Sequence, residues 1–183
     1  MGNWQLDPYH TQVEFAAKHL GMMTVRGYFD DVSTKADIDP EHPENASVEA
    51  TISTGSIRTN HPVRDNDLRS SNFLDAEGFP TMTFKSTEVK QTGENTFTVT
   101  GDLTIKGNTR PVTLNVTRYG EFNDPNMMGH RIAYGATGQI NRKDFGLSFS
   151  MMLDGRFVVS EEIQIAIEGE LVEQKEPAGS AGT

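Results

Sequence analysis

The sequence predicts an all-β chain of about eight antiparallel strands, arranged so that one apolar face of each is turned inward. Three observations carry this: apolar and polar residues alternate at period two along most of the chain, turn residues separate the runs, and helical periodicity is almost missing. The segment "VTGDLTIKGNTRPVTLNV", 99–116, shows the pattern most plainly. Val99, Gly101, Leu103 and Ile105 share one face, and Val112, Leu114 and Val116 return along the same face. The two runs read as a hairpin, with Gly107-Asn108 as the expected positive-φ pair of its turn.

In chain order, Val13, Phe15 and Ala17 alternate with Gln12, Glu14 and Ala16 in the first strand. Val25, Gly27 and Phe29 mark the second, after the turn "HLGMMT". A loop is expected over "DIDPEHPENA", and then Val48, Ala50, Ile52 and Thr54 alternate with Glu49, Thr51 and Ser53. "TMTFKSTEV", "TFTVTGDLTI", "PVTLNVTRY" and "RIAYGATGQI" supply four more strands. The last, "EEIQIAIEGEL", places Ile163, Ile165, Ile167, Gly169 and Leu171 on one face. A short helix is expected only within 60–78, "NHPVRDNDLRSSNFLDAEG", where Pro62 suits a first turn.

One short helix cannot cover such a sheet. The strands must therefore bury their apolar faces against one another, as a sandwich or as a barrel closed on itself. An eight-stranded barrel is just wide enough to be filled by side chains or to hold one ligand. The small inward residues Ala17, Gly27, Ala50, Gly101 and Gly169, with Ala136 or Gly138, fit either outcome. They relieve crowding at bends in a packed interior, or they leave a lumen. Such a lumen would be lined by Val13, Phe15, Phe29, Ile52, Phe84, Val99, Leu103, Leu114, Val116, Ile163, Ile165 and Ile167. It would be apolar along its length and suited to a hydrocarbon chain.

Composition narrows the classes further. At 183 residues the chain is read as one domain over 1–173, with a polar, proline-broken tail over 174–183 that is expected to be disordered. A formal charge of −10 with basic residues scattered singly argues against nucleic-acid binding. With no cysteine, there is no disulfide framework, thiolate metal site or thiol nucleophile. No apolar run approaches the ~18 residues of a membrane span. The start "MGNWQLDPYH" has neither a basic nor an apolar signal-peptide region. A cytoplasmic location is therefore expected for the chain as written, and a periplasmic or secreted one if this start replaces a signal peptide.

Four segments together, "WQLDPYHTQVEFAAKH", "RDNDLRSSNFLDAEGFPTMTF", "VTGDLTIKGNTRPVTL" and "INRKDFGLSF", resemble the YceI-like family, also called the polyisoprenoid-binding or lipocalin-like family. The resemblance runs over residues 4 to 172 in the family's order. It implies an extended, eight-stranded antiparallel β-barrel of lipocalin type with a short helix between strands and an apolar tunnel. It also implies an isoprenoid ligand such as a polyprenyl phosphate or quinone, and a homodimer.

Polar residues offer few chemical sites. Arg64, Asp65, Asp67 and Arg69 crowd the helical segment, where they can cap the helix and pair with neighbouring loops. Alternatively, Arg64 or Arg69 faces the tunnel mouth and holds a phosphate or quinone oxygen, with Leu68, Phe73 and Phe79 as a lid. Arg142 and Lys143 form a second candidate pair for an anionic head, or a turn that pins the seventh strand. His10 and His19 lie too far apart on one strand to share a metal, and His10 is expected to be buried and bonded near Asp7 or Thr11. Met127-Met128 and Met151-Met152-Leu153 are expected in loops. No nucleophile elbow, phosphate loop or dinucleotide fingerprint occurs. The reading is thus a non-enzymatic lipid-binding module without cofactor or metal. A packed β-sandwich serving as an interaction or scaffold domain is the alternative, and an enzyme acting on a bound lipid a third.

Overall fold

A computed structural model describes residues 2–174; all but the first residue of the tail expected over 174–183 lies outside the described residues. The strands are β1 (Gly2–His19), β2 (Met23–Phe29), β3 (Val32–Ile38), β4 (Ser47–Ser53) and β5 (Ile57–Arg58), followed by the helix α1 (Pro62–Arg69). Then come β6 (Thr81–Gln91), β7 (Thr96–Ile105), β8 (Asn108–Asp124), β9 (Gly129–Asn141), β10 (Met152–Leu153), β11 (Arg156–Phe157) and β12 (Glu162–Glu173). The main sheet runs β12-β9-β8-β7-β6-β4-β3-β1-β2-β5. An additional antiparallel pairing of β12 with β1 closes it into a barrel. That closure decides between the two expected architectures, because a sandwich leaves its sheet edges unpaired.

β2 and β3 both pair with β1 and are two halves of one strand, broken at Asp30-Asp31. β4 and β5 flank that strand in the same way, β4 on β3 and β5 on β2, and counting each of these two pairs once gives the eight positions of the expected barrel. β10 and β11 form a separate small hairpin, so Met152 and Leu153 lie in a strand and not in the loop expected for them.

Three register breaks explain why the alternation is hard to follow through the longest strands. In β1 the pairing with β12 passes from Leu6↔Leu171 to Thr11↔Gly169, so Asp7 to His10 face a single partner position. The inward row consequently switches from even positions (Trp4, Leu6) to odd ones (Val13, Phe15). In β6 one extra residue, Thr87, lies between the pairs Ser86↔Gly101 and Glu88↔Thr100, and the inward row passes from Phe84 to Val89. Tyr119 is the extra residue of β8.

The hairpin of β7 and β8 pairs Ile105 with Asn108, so its turn is Lys106-Gly107 and not the expected Gly107-Asn108. Both turn residues have positive φ, 49° at Lys106 and 74° at Gly107, as a two-residue turn matched to strand twist requires. Asn108 instead donates from Nδ2 to the carbonyls of Lys106 and Phe145, tying the hairpin to the turn after β9.

Both ends of the barrel are packed. At one end Ile57, Leu74, Met82, Ile105, Val112, Phe145 and Leu147 form a buried cluster beneath α1. At the other, Trp4, Ala36, Ile38 and Ile132 are buried together, and the Trp4 indole donates to the Ile38 carbonyl.

An apolar tunnel between two packed ends

Between these two clusters the barrel encloses an elongated cavity of about 390 Å³, within the range of small-molecule sites. All twelve residues expected along a lumen line it: Val13, Phe15, Phe29, Ile52, Phe84, Val99, Leu103, Leu114, Val116, Ile163, Ile165 and Ile167. The cross-strand pairs Val13↔Ile167, Phe15↔Ile165 and Val99↔Leu114 set matching apolar residues side by side. Most of these side chains point inward yet are only partly buried, because their outer atoms face the lumen and not another side chain.

Further lining comes from positions outside the expected set. Leu6 on β1, Val32 and Ile38 on β3, and Val89 on β6 lie beyond a strand break or on a strand that period-two reading missed. Phe97 and Tyr134 carried the right periodicity and complete the wall near the Trp4 end.

The small inward residues divide into two groups. Ala17, Ala50, Ala136 and Gly169 do line the cavity. Gly27 and Gly101 do not widen it: a Cβ on Gly27 would meet the Phe15 ring at 2.3 Å, and one on Gly101 the Phe84 ring at 2.5 Å. Their missing side chains make room for aromatic rings that themselves form the wall. Gly138 is covered in the same way by Leu114, 2.7 Å from a Cβ built there.

The segment after β5 closes one end but does not present its charges to the tunnel. Leu68 and Phe73 line the cavity, whereas Arg64, Arg69 and Phe79 do not. The Arg64 side chain donates from Nε to Thr59 Oγ1 at 2.7 Å and from Nη2 to the Thr59 carbonyl at 3.0 Å. Arg69 donates to the carbonyls of Gly55 and Ile57 at 2.8 and 2.7 Å. Both guanidinium groups are thus turned to oxygens of β5 and its flanks, Arg64 to the hydroxyl and carbonyl of Thr59 and Arg69 to two carbonyls. Phe79 is partly exposed and packs against Gly107. Asp65 is buried and accepts from the Thr59 amide and hydroxyl; burial acts to raise its pKa, but these bonds outweigh it and lower it. His61 caps α1 by accepting from the Arg64 amide.

Of the second expected cation pair, Arg142 lines the cavity and Lys143 does not. Lys143 pairs with Glu161 on the outside at 2.5 Å and lies over the Phe157 ring. Arg142 is 2% exposed, and burial pushes its pKa down.

Two charged clusters lie outside the tunnel. In the β1 bulge, Asp7 accepts from the Tyr9 amide, from His10 Nδ1 at 3.0 Å and from Arg131 Nη1, which also reaches Glu170 at 2.9 Å. The His10 side chain is half exposed, not buried as expected, though its bond to Asp7 is the expected one. Asp7, His10 and Glu170 could present ligand atoms within 4.8 Å of one another, but Arg131 bridges the two carboxylates that a cation would need. At the Trp4 end, His130 bridges Glu121 and Glu173 through its two ring nitrogens, and Arg118 binds Glu121.

Comparison with known proteins agrees with this architecture. The family model described as YceI-like domain matches residues 4–171. A UPF0312 protein of Enterobacter sp. (strain 638) is 39% identical over 166 residues, covering 91% of this chain and 83% of its own length. A UPF0312 protein of Pseudomonas fluorescens is 40% identical over 165 residues, covering 87% and 81%. Among solved structures, the Campylobacter jejuni YCEI protein superposes with a TM-score of 0.75 at 29% identity, covering 87% of this chain and 90% of its own. BcnA of Burkholderia cenocepacia gives a TM-score of 0.80 at 24% identity, covering 90% and 98%. A polyisoprenoid binding domain from Saccharophagus degradans, implicated in plant cell wall breakdown, shares the fold at 16% identity, with a TM-score of 0.68 and coverage of 95% and 100%. With the family model spanning almost the whole barrel and relatives near 40% identity along its length, this chain belongs to the YceI-like family.

Proposed function

We propose that the barrel binds one long-chain isoprenoid lipid, a polyprenyl phosphate or an isoprenoid quinone, lengthwise in its tunnel, and stores, shields or carries it without chemical change. The observation that carries this reading is the lumen itself, whose walls are aliphatic and aromatic from the Trp4 end to the α1 end. β7, with 10 residues, spans roughly 33 Å at strand rise, the length scale of a long isoprenoid tail. Burial of each CH₂ contributes about 0.8 kcal/mol, part of which is offset by ordering a flexible chain. A narrow apolar tube therefore selects by length and thickness. The description of the S. degradans relative as a polyisoprenoid binding domain agrees with this cargo class.

Titration with a fluorescent isoprenoid analogue tests the reading. Saturation is expected at one analogue per chain, with displacement by unlabelled long-chain isoprenoids and not by short polar alcohols. Absence of saturable binding would overturn it.

A further inference from the structure

The tunnel offers a polar head almost nothing to bond with. Its surface is nearly all apolar, and buried clusters close both ends, around Leu74 and Phe145 beneath α1 and around Trp4 and Ile132 opposite. A hydroxyl, carbonyl or phosphate carried into such a lumen loses its water and gains no partner, which is unfavourable, most of all for a charge. A lipid that fits the tunnel therefore keeps its head outside, and its chain needs a way through the wall.

The wall is parted along one seam. β1 pairs with β3 from Gly2↔Ile38 to Trp4↔Ala36, and with β2 from Val13↔Phe29 to His19↔Met23. Between these two ladders, residues 5–12 run beside residues 30–35 without backbone pairing, and the Leu6 amide turns to the Thr34 hydroxyl at 3.1 Å. The β1 side of the gap is the bulge, where Asp7 accepts from the Tyr9 amide through its side chain and from the Thr11 hydroxyl through its carbonyl. The other side is the strand break, where the Asp30 amide donates to the Ser56 carbonyl at 3.3 Å and the Asp31 carbonyl accepts from the Ser53 amide at 2.9 Å. Bulge and break thus coincide, with intact ladder on either side of them.

A cleft of about 420 Å³ lies over this gap. Leu6, Val13, Phe29 and Val32 line both the cleft and the tunnel, so side chains and not a hydrogen-bonded sheet separate the two. The rest of the cleft lining, Pro8, Thr11, Gln12, Tyr28, Asp30 and Arg58, is mostly polar. Its rim is held in place: Arg58 grips both Asp30 oxygens, at 2.8 and 3.0 Å, and lies over the Tyr28 ring.

We propose that this seam is the portal of the tunnel, and that the cleft outside it seats the polar head of the bound isoprenoid. The chain passes inward between Leu6 and Val13 of β1 and Phe29 and Val32 of the broken strand. The head stays among hydrogen-bonding side chains and water, and both ends of the barrel remain shut. This inference rests on the tunnel being the lipid site.

Photo-crosslinking of the wild-type protein tests it with two geranylgeranyl probes, one carrying a diazirine on an amide head and the other at the far end of the chain. Labelled residues are mapped by mass spectrometry, and saturable labelling is defined by competition with geranylgeraniol. The head probe is expected to place at least ten times as much label on the segments 8–12, 28–30 and 58 as on the rest of the chain. The chain-end probe should label residues that line the tunnel alone, such as Leu103, Leu114 or Ile163. Head labelling concentrated anywhere else, whether on tunnel-only residues, on the α1 segment or around Trp4, would overturn the portal and leave the tunnel reading intact so long as the chain-end probe labels the tunnel. Absence of saturable tunnel labelling by either probe would overturn both.

Discussion

Val99 on β7 stands directly across from Leu114 on β8, and both side chains face the lumen midway along its length. Leu114 also covers Gly138, but Val99 is only partly buried and borders the lumen, so Val99 can grow without a large cost in stability. Val99→Trp should fold, with a melting temperature within a few degrees of wild type, yet fill the tunnel and weaken isoprenoid binding at least tenfold, about 1.4 kcal/mol. Circular dichroism and a lipid titration on the same sample check both halves.

The opposite behaviour is expected at Gly101, where the Phe84 ring and the Lys85 carbonyl each lie 2.5 Å from the site of a Cβ. The carbonyl is part of the sheet and cannot move aside. Gly101→Ala should therefore destabilise the barrel by about 1–3 kcal/mol, the range of overpacked cores. A melting temperature equal to wild type would show that the ring does not need the space.

Asp7 and Arg131 join the β1 bulge to β9. The bond from Arg131, helped by His10 and the Tyr9 amide, holds the Asp7 carboxyl well below the usual carboxylate range. Its folded value lies below its unfolded one, so the stabilisation is present above about pH 4 and is lost as the pH falls through and below that point. Asp7→Asn should cost about 3 kcal/mol at pH 7, as breaking a largely buried pair does. The gap between variant and wild type should narrow as the pH drops from 5 toward 2, which thermal melts across that range will read.

His130 works in the other direction. Burial alone would lower its pKa, but the hydrogen bonds to Glu121 and Glu173 outweigh that and raise it. A raised folded value means that the stabilisation is complete below about pH 6.5 and is lost as the pH rises through the raised value. Wild type should exceed His130→Gln in melting temperature at pH 6, with the difference shrinking by pH 9. A difference independent of pH would mean that the imidazole is neutral in the folded protein.

The strands, the inward face and the lumen wall were legible in the sequence because period-two alternation records which side of a strand is wet. Val99, Leu114 and Ile165 are examples that needed nothing more. The alternation fails where a bulge shifts the phase. Leu6 and Val13 sit on the same face of β1 at positions of opposite parity, and only the extra residues around Asp7 to His10 reconcile them. β3 was hidden for another reason: its inward residues Val32, Thr34, Ala36 and Ile38 are interleaved with Ser33, Lys35 and Asp37 beside a loop rich in Asp and Pro. The polar groups were the least legible. Arg64, Arg69 and Arg142 are alike in sequence and all three are held by neighbouring oxygens, the first two around β5 and the third by the carbonyls of Leu147 and Ser160, but only Arg142 borders the cavity. Only the parity of the β9 row distinguishes Arg142, and it does so by continuing past the strand's end.

Native mass spectrometry of the purified protein, followed by organic extraction and identification of what is released, tests the central claim most directly. A co-purifying isoprenoid near one per chain, or uptake of one added isoprenoid per chain by protein purified without lipid, is the expected result. A protein that carries no lipid and takes up none would contradict the account.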